Sequence, residues 1–570
     1  MSFYKPYWWK EAVGYQIYLK SFKDSNDDGI GDINGIREKL DYLKALGITL
    51  LWICPFYKSP MDDNGYDVSD YYDIDPSFGT LNDMKMLIKE AHDKGIKIIA
   101  DFVMNQTSDE HKWFIESRSS KDNPYRDYYI WKDGRIVDGK MVEPTNWASF
   151  FGGSCWHYDE KTKQYYMKIF SSKMPDLNWA NPSVRKSMQE VARFWLDLGI
   201  DGFRVDAVAH IGRSDEFEDS TMESDSKYKP DWRKFSNLPN THDYLQEFNE
   251  QVFSKYDIMT VGEVGGGMTP KEALDYAGIG RNELNMVFTF DHCWSNNVWD
   301  LKHRGEQQKT NLINLKKNFQ KWQTGQYGKS WNPLYWLNHD HPRLMSQYGN
   351  IDKPYISGTM LAQALYFMWG TPFVYQGEEL GMVNYPFKSV DDFQDVSIKN
   401  LYEIEVVQKG KNPDDLIFKW GITARDNART VMSWDDSIYG GFSNVKPWFH
   451  NDPNYQTLNA ENALKEPKSI YKYYQKIFKL RQHKAYKNTL IYGSYKQINQ
   501  RHKHVYAYLR EKDKLILTVT NFFDSNETIY IRGYDVIDVL LSNYDDPSTR
   551  LTKLELRPYE AITFVVRKKV

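Results

Sequence analysis

The 570-residue chain holds only three cysteines, Cys54, Cys155 and Cys293. An odd number, widely spaced, offers neither the paired spacing of a zinc site nor a disulfide framework, so a reducing compartment is the simpler expectation. Long apolar runs are missing as well. No uncharged stretch reaches the ~18 residues of a membrane span, and the opening residues MSFYKPYWWKEAVGYQ lack an apolar leader core. These absences predict a cytoplasmic protein with no membrane partner. Charge of one sign never accumulates either: Lys plus Arg number 73 and Asp plus Glu 77, for a formal charge of −4. That balance argues against a nucleic-acid partner and suits a neutral small molecule. Internal repeats and low-complexity linkers are absent. What the chain does have is 41% hydrophobic and 16% aromatic residues, enough for a sizeable core.

Short β-branched or aromatic runs alternate with helical patterns, and residues 12–22, 48–56, 97–103, 201–206, 257–263, 285–291, 334–338 and 372–376 read as buried strands. After Asn181-Pro182, the residues Val184, Met188, Val191, Trp195 and Leu198 form one apolar stripe that Gly199 stops. From Thr80 to Gly95, Met84, Leu87, Ile88 and Ala91 do the same, and Thr80 with Asp83 resembles a capping box. Alternation of this kind means parallel strands with crossover helices. Eight units, with no glycine-rich phosphate loop after the first strand, predict an α/β fold of the (β/α)8 TIM barrel type over residues 1–103 and 174–489. Residues 104–173, rich in Trp, Tyr, Gly and Asp and holding the hairpin pattern WHYDEKTKQYYMKIF, read as an inserted domain B after strand 3. A second insertion, about 377–465, follows strand 8, and a helix is expected at 466–486. Alternating runs such as HVYAYL and KLILTVTNF then predict a C-terminal antiparallel β domain, a β-sandwich over 490–570.

Catalysis in such a barrel sits at the C-terminal ends of the strands. Asp101, Asp206, Glu263 and Asp340 fall there, in DFVMNQ, GFRVDAV, TVGEV and LNHDHPR. One acid at a strand end is more often a helix cap or a loop hydrogen-bonder. Four at one mouth are another matter. Grouped carboxylates are costly to bury, raise at least one pKa, and are kept mainly for proton transfer or nucleophilic attack.

These four strings, in this order and at these separations, resemble the conserved regions of glycoside hydrolase family 13, on the branch with the oligo-1,6-glucosidases, maltases, dextran glucosidases and sucrose isomerases. The resemblance runs from GYQIYLKSF to YQGEELGM. It implies a retaining, exo-acting α-glucosidase of short α-glucosides, with Asp206 as nucleophile, Glu263 as general acid/base and Asp340 gripping the ring hydroxyls of the glucosyl unit. A retaining mechanism needs its two carboxyls only about 5–5.5 Å apart, one ionised and one protonated. Arg204, two residues before Asp206 and so on the same strand face, is placed to keep the nucleophile ionised. Glu263, followed by Gly265-Gly266-Gly267, is the carboxyl expected to carry the raised pKa. By the same resemblance Tyr66 and Asp67 in NGYDVSDYY, His339 beside Asp340, and Arg343 in HDHPR bind the glucose unit.

The run Asp24-Ser25-Asn26-Asp27-Asp28-Gly29-Ile30-Gly31-Asp32 puts side-chain oxygens at alternating positions, with the Ile30 carbonyl between them, as calcium loops do. It lacks the closing glutamate of an EF-hand. Related bacterial α-glucosidases carry a similar loop, so structural Ca2+ on Asp24, Asn26, Asp28, Ile30 and Asp32 is expected; the alternative is an Asx-rich turn satisfied by its own backbone. No organic cofactor is expected, and the chain is expected to be a monomer or weak homo-oligomer.

Several residues depart from the pattern. Asn105-Gln106 stands where the family reads Asn-His; Gln106 still donates and accepts but cannot become cationic. Ala207 replaces the valine of 1,6-specific relatives and tilts the expectation toward α-1,4 linkages or sucrose. MPDLN at 174–178 lies between the motifs of two branches, and His341 replaces the usual glutamine. Three other readings stay open: an α-glucosyltransferase or sucrose isomerase intercepting the same intermediate, a trehalose-6-phosphate hydrolase needing cations on the acceptor side, and a non-catalytic binding protein on the same scaffold.

Overall fold

The computed structural model describes residues 3–569 apart from 215, 266 and 297–309. Eight parallel strands run in chain order: β1 (Gly14–Ile17), β2 (Leu50–Ile53), β3 (Lys97–Val103), β4 (Gly202–Asp206), β5 (Met259–Glu263), β6 (Met286–Phe288), β7 (Pro333–Leu334) and β8 (Thr371–Tyr375). They pair in the order β6-β5-β4-β3-β2-β1-β8-β7. A parallel bridge from Met286 to Trp331, just before β7, brings the two edges together and makes the sheet a barrel. Each strand is shorter than or equal to the run that predicted it. The ends of those runs leave the ladder to form the mouth, so Leu19–Ser21 is a 3-10 turn and 335–338 is irregular.

Local signals explain the outer helices. Helix α1 (Leu81–Asp93) starts on the capping box of Thr80 and Asp83 and buries Met84, Leu87, Ile88 and Ala91. Helix α2 (Pro182–Leu198) is capped by Asn181, begins on Pro182 and ends at Gly199, whose φ of 114° only glycine adopts without strain. Its buried stripe is Val184, Met188, Val191 and Trp195, while Leu198 is half-buried. Removing the Trp195 ring would cost about 3–5 kcal/mol.

The insertion after β3 carries the antiparallel hairpin Trp156–Asp159 and Gln164–Met167, with its own small core of Ile130, Trp147, Trp156, Met167 and Ile169. The segment after β8 is irregular, with helices Val396–Tyr402 and Pro413–Thr423 around Phe387, Phe393, Ile398 and Trp420. The two insertions touch: Gly152, at φ 88°, lies against Ile404 and Leu401. The helix expected at 466–486 is Ile470–Gln482, ended where His483 leaves helical geometry, and a further short helix, Lys487–Tyr492, lies beyond the expected range. Five antiparallel strands follow, ordered Ser494–Ile498, Val505–Glu511, Leu515–Asn521, Ala561–Lys568 and Tyr534–Ser542, covered by the pair Glu527–Ile529 and Leu554–Leu556. Arg481 donates to the carbonyls of Tyr366, Met368 and Gly370, and Arg510 to those of Phe367, Leu490 and Gly493. Arg481 thus ties the last barrel helix to the segment before β8, and Arg510 ties the C-terminal domain to the barrel.

Candidate active site

A cavity of about 460 Å³ opens at the C-terminal ends of the barrel strands. Asp206 is the last residue of β4 and Glu263 the last of β5. Asp101 lies within β3, two residues short of its end, and Asp340 lies six residues past β7 in a turn. Register brings the first three together: Arg204 sits beside Asp101 on one side and Val261 on the other.

Arg204 is fully buried beneath the cavity floor. It donates to Asp101 at 2.8 Å, to Asp206 at 2.5 Å and to Glu263. One planar guanidinium thus holds three carboxyls in a fixed fork. Arg204 therefore lies beneath the sugar pocket and orders the groups that face it, as its place beside Asp206 on the strand led one to expect. Asp206 and Glu263 thus sit on neighbouring nitrogens of one guanidinium, Nη1 and Nη2. That shared fork suits the short separation, about 5–5.5 Å, of a retaining pair. Burial pushes the Asp206 carboxyl up, Arg204 pulls it down, and the nearby Glu263 and Asp101 charges raise it again. A retaining mechanism needs one of the two carboxyls ionised to attack and the other protonated to donate.

The opposite wall is built on Asp340. It accepts from Arg429 at 3.1 Å and Arg425 at 3.4 Å, and His339 Nε2 lies 3.2 Å away. Burial works to raise its pKa, but the two arginine charges hold the carboxyl well below the usual range. His339 is buried and neutral. Gln16 donates to its Nδ1 at 2.8 Å, which leaves Nε2–H facing the Tyr66 hydroxyl at 2.7 Å. The Tyr66 and His339 rings stack 5.3 Å apart, and Tyr66 donates to Asp101 at 2.9 Å. Gln106 lines the cavity too, its amide nitrogen given to the Tyr66 carbonyl.

Two residues expected to bind sugar turn away from the cavity. Asp67 is fully buried, and its carboxylate accepts from the backbone N–H groups of Asp62 and Asp63, locking the turn. Arg343 caps the short helix Leu344–Gln347 and donates to the carbonyls of Asn427, Gln376 and Thr430. Their places at the cavity are taken by Asp63 and Arg425. Arg425 donates to Asp63 at 2.7 Å and forks onto Asp395 at 2.7 and 2.8 Å. Burial raises Asp63 to about 7 against the pull of Arg425 and Arg429. Asp63 was within reach of sequence reading, because it immediately precedes the motif that holds Tyr66. Arg425 carries no local signal.

Most of the remaining lining is aromatic, Phe150, Phe151 and Phe170 from the first insertion and Phe290 and Trp294 beyond β6, joined by Met174, Ser397 and Leu401. Gly265, two residues after Glu263, lies so close to Phe290 that an added Cβ would meet its ring at 3.3 Å. Gly266, in the expected flexible run, lies outside the described residues. Ala207 follows Asp206 in the left-handed region, φ 45°, a strained turn of the kind stored at reaction centres.

The loop at 24–32 is a tight Asx-rich turn. Asp24 accepts from the N–H groups of Asn26, Asp27 and Gly29, Asn26 from Asp28, Asp28 from Ile30, and Asp32 from Ser25 and Gly35. Among the described residues no group of three or more His, Cys, Asp or Glu converges as a ready-made metal cluster. Nor is any helix among them long and apolar enough to cross a membrane.

The chain is 47% identical to an oligo-1,6-glucosidase of Parageobacillus thermoglucosidasius across 98% of this chain and 99% of that protein. A trehalose-6-phosphate hydrolase of Bacillus licheniformis superimposes with a TM-score of 0.90 at 40% identity, covering 99% of this chain and 100% of the other. The isomaltulose synthase of Protaminobacter rubrum does so with a TM-score of 0.92 at 39% identity and the same coverage. Residues 16–493 match the model of the α-amylase catalytic domain. With its carboxyl pair at the mouth of an eight-stranded barrel, the chain belongs to the α-amylase family of glycoside hydrolases.

Proposed function

We propose that the protein is a retaining exo-α-glucosidase that splits short α-glucosides of the isomaltose, maltose or sucrose type. The observation that carries this is the placing of Asp206 and Glu263 side by side on one buried guanidinium at the floor of the cavity. Asp206 attacks the anomeric carbon as Glu263 gives its proton to the departing oxygen. A covalent glucosyl-enzyme forms, and water, deprotonated by Glu263, releases glucose with its configuration kept. Asp340, Asp63, Arg425, His339 and Tyr66 surround the place for the glucosyl ring and supply paired donors and acceptors for its hydroxyls. Ala207 favours α-1,4 links or sucrose, whereas the similarity to an oligo-1,6-glucosidase favours α-1,6. A panel of maltose, isomaltose, sucrose, trehalose, trehalose 6-phosphate, kojibiose and nigerose ranks them. NMR of the first-formed glucose tests the mechanism: α-glucose is expected, and β-glucose would end the retaining assignment.

Trehalose 6-phosphate fits less well. Among the described lining residues the one cation is Arg425, whose donors go to Asp63, Asp340 and Asp395, and burial keeps His210, His339 and His341 uncharged. Glucosyl transfer is the stronger second reading, because the Phe150, Phe151, Phe170, Phe290 and Trp294 lining offers apolar faces to an acceptor sugar and little to water. Product analysis at high sucrose decides: dominant isomaltulose or longer oligosaccharides would replace the hydrolase reading.

The loop at 24–32 is proposed to take Ca2+ in a structural role, through Asp24, Asn26, Asp28, the Ile30 carbonyl and Asp32, an all-oxygen set suited to a hard cation. Thermal melts with chelator and then added Ca2+ test it: a Tm that does not move refutes it. A cytoplasmic location is proposed on the three buried free thiols Cys54, Cys155 and Cys293, and a monomer or weak homo-oligomer with it. Cell fractionation and analytical ultracentrifugation check both.

A further inference from the structure

The two insertions meet beside the cavity. The helix Val396–Tyr402 of the second insertion runs on into a π-helical segment, Glu403–Gln408. Its Ser397 and Leu401, four positions apart and so on one helix face, line the cavity. Ile404, three positions further along that face, joins Leu401 against Gly152 of the first insertion. A Cβ added to Gly152 would meet Ile404 at 3.2 Å and Leu401 at 3.9 Å. Phe150 and Phe151, just before Gly152 in the chain, line the cavity as well, so Leu401 meets the aromatic wall.

This contact is braced from the glucosyl side. Asp395 caps the helix by accepting from the Ser397 N–H, and the same carboxyl is the one on which Arg425 forks. Arg425 also lies over the Phe151 ring at 4.9 Å. Burial places the contact outward of the chemistry: Arg204 and Asp206 at the floor are buried, whereas Gly152, Leu401 and Ile404 are each partly exposed. A sugar chain that leads from the reacting carboxyls along the aromatic wall toward solvent arrives at Leu401 and Ile404. Room is short before it does. The cavity volume of about 460 Å³ lies low in the ~300–1,000 Å³ range of sites that enclose a ligand of drug size, which is the size of a disaccharide.

We propose that Leu401 and Ile404, packed on Gly152, form a steric stop on substrate length, admitting the leaving unit of a disaccharide and hindering the units of a longer chain. This rests on the exo-α-glucosidase reading above. A third or fourth glucose unit has to displace an apolar contact between two insertions that Arg425 and Asp395 hold in place. Glycine at 152 lets the helix approach this closely, and its φ of 88° suits it to the turn.

The test is kcat/KM of the wild type and of the double variant Leu401→Ala/Ile404→Ala on the two-, three- and four-unit members of the isomaltose and maltose series. Each value is divided by that of the same protein on 4-nitrophenyl α-glucoside, so that a general loss of activity cancels. In the wild type the ratio is expected to fall about tenfold or more from two to four units, and in the double variant by about threefold or less. Ile404→Trp, which adds bulk at the same contact, is expected to steepen the fall. A wild type that cleaves four units as well as two, or a double variant with the wild-type fall, overturns the proposal. Should the double variant fail to fold, Leu401→Ala decides alone by the same comparison. A wild type inactive on the aryl glucoside and on both disaccharides would instead overturn the hydrolase reading itself, and this inference with it.

Discussion

The two flanks of the cavity are built in opposite ways. On the glucosyl side every charged group is paired: Arg204 with three carboxyls, Arg425 with three, Asp340 with two arginines and a histidine. On the side proposed to take the leaving group the wall is largely aromatic, with Phe150, Phe151, Phe170, Phe290 and Trp294. A site that performs one reaction on one sugar ring benefits from groups held rigid by mutual pairing. A side that receives varied leaving groups needs contact area and a few free polar atoms instead. Chemistry and selectivity are thus separated in space, and each can be broken without the other.

The largest effect is expected from Asp206→Asn, which should lower kcat by at least about ten-thousand-fold while circular dichroism and Tm stay near wild type. Next is Arg204→Met. It leaves Asp101, Asp206 and Glu263 buried without a counter-charge, and should cost about 3–5 kcal/mol in denaturant unfolding as well as abolishing turnover. The pair Arg425→Gln and Arg343→Gln separates the two arginines by role. Arg425→Gln should raise KM and lower kcat/KM by about a hundredfold. Arg343→Gln, which strands the carbonyls of Asn427, Gln376 and Thr430, should lower Tm and leave the folded fraction active. If Arg343→Gln changes kcat/KM as much as Arg425→Gln does, the division is wrong.

A smaller effect follows from the buried histidines. His210, His292 and His341 are each lowered to about 4. The unfolded chain, with histidine near 6.5, takes up protons that the native state refuses. Their contribution is present above about pH 6.5 and is lost as pH falls toward 4, up to about 3 kcal/mol per residue. Asp63, raised to about 7, works the other way: its contribution is whole below about pH 4 and gone above pH 7. His341→Gln should therefore flatten the acid limb of a Tm–pH profile. Smallest is Thr80→Ala, which removes a capping box far from the cavity and should cost about 1 kcal/mol with kcat unchanged.

Legibility in the sequence follows the same divide. The strands, helix α2 from Asn181 to Gly199, and the hairpin near residue 160 announce themselves through local period and cap residues. Asp206 and Glu263 are readable because a barrel fixes what a strand end faces. Asp63 and Asp67 sit four residues apart at the start of one turn, and only the folded turn decides which of them reaches the cavity. Arg343 follows Asp340 closely in sequence, yet starting a new helix turns its side chain back into the core. Arg425 reaches Asp63 across 362 positions from a segment with no regular period. No propensity encodes such a contact.

That same arginine has a consequence for how the protein is made. Arg425 bonds Asp63, Asp340 and Asp395 and lies over the Phe151 ring at 4.9 Å. A nascent chain that has just completed β8 already contains all three reacting and gripping acids, but nothing yet clasps them to the first insertion. The ribosome must extend the chain by some fifty residues before the cavity can close around a sugar, so the enzyme becomes competent late in its own synthesis.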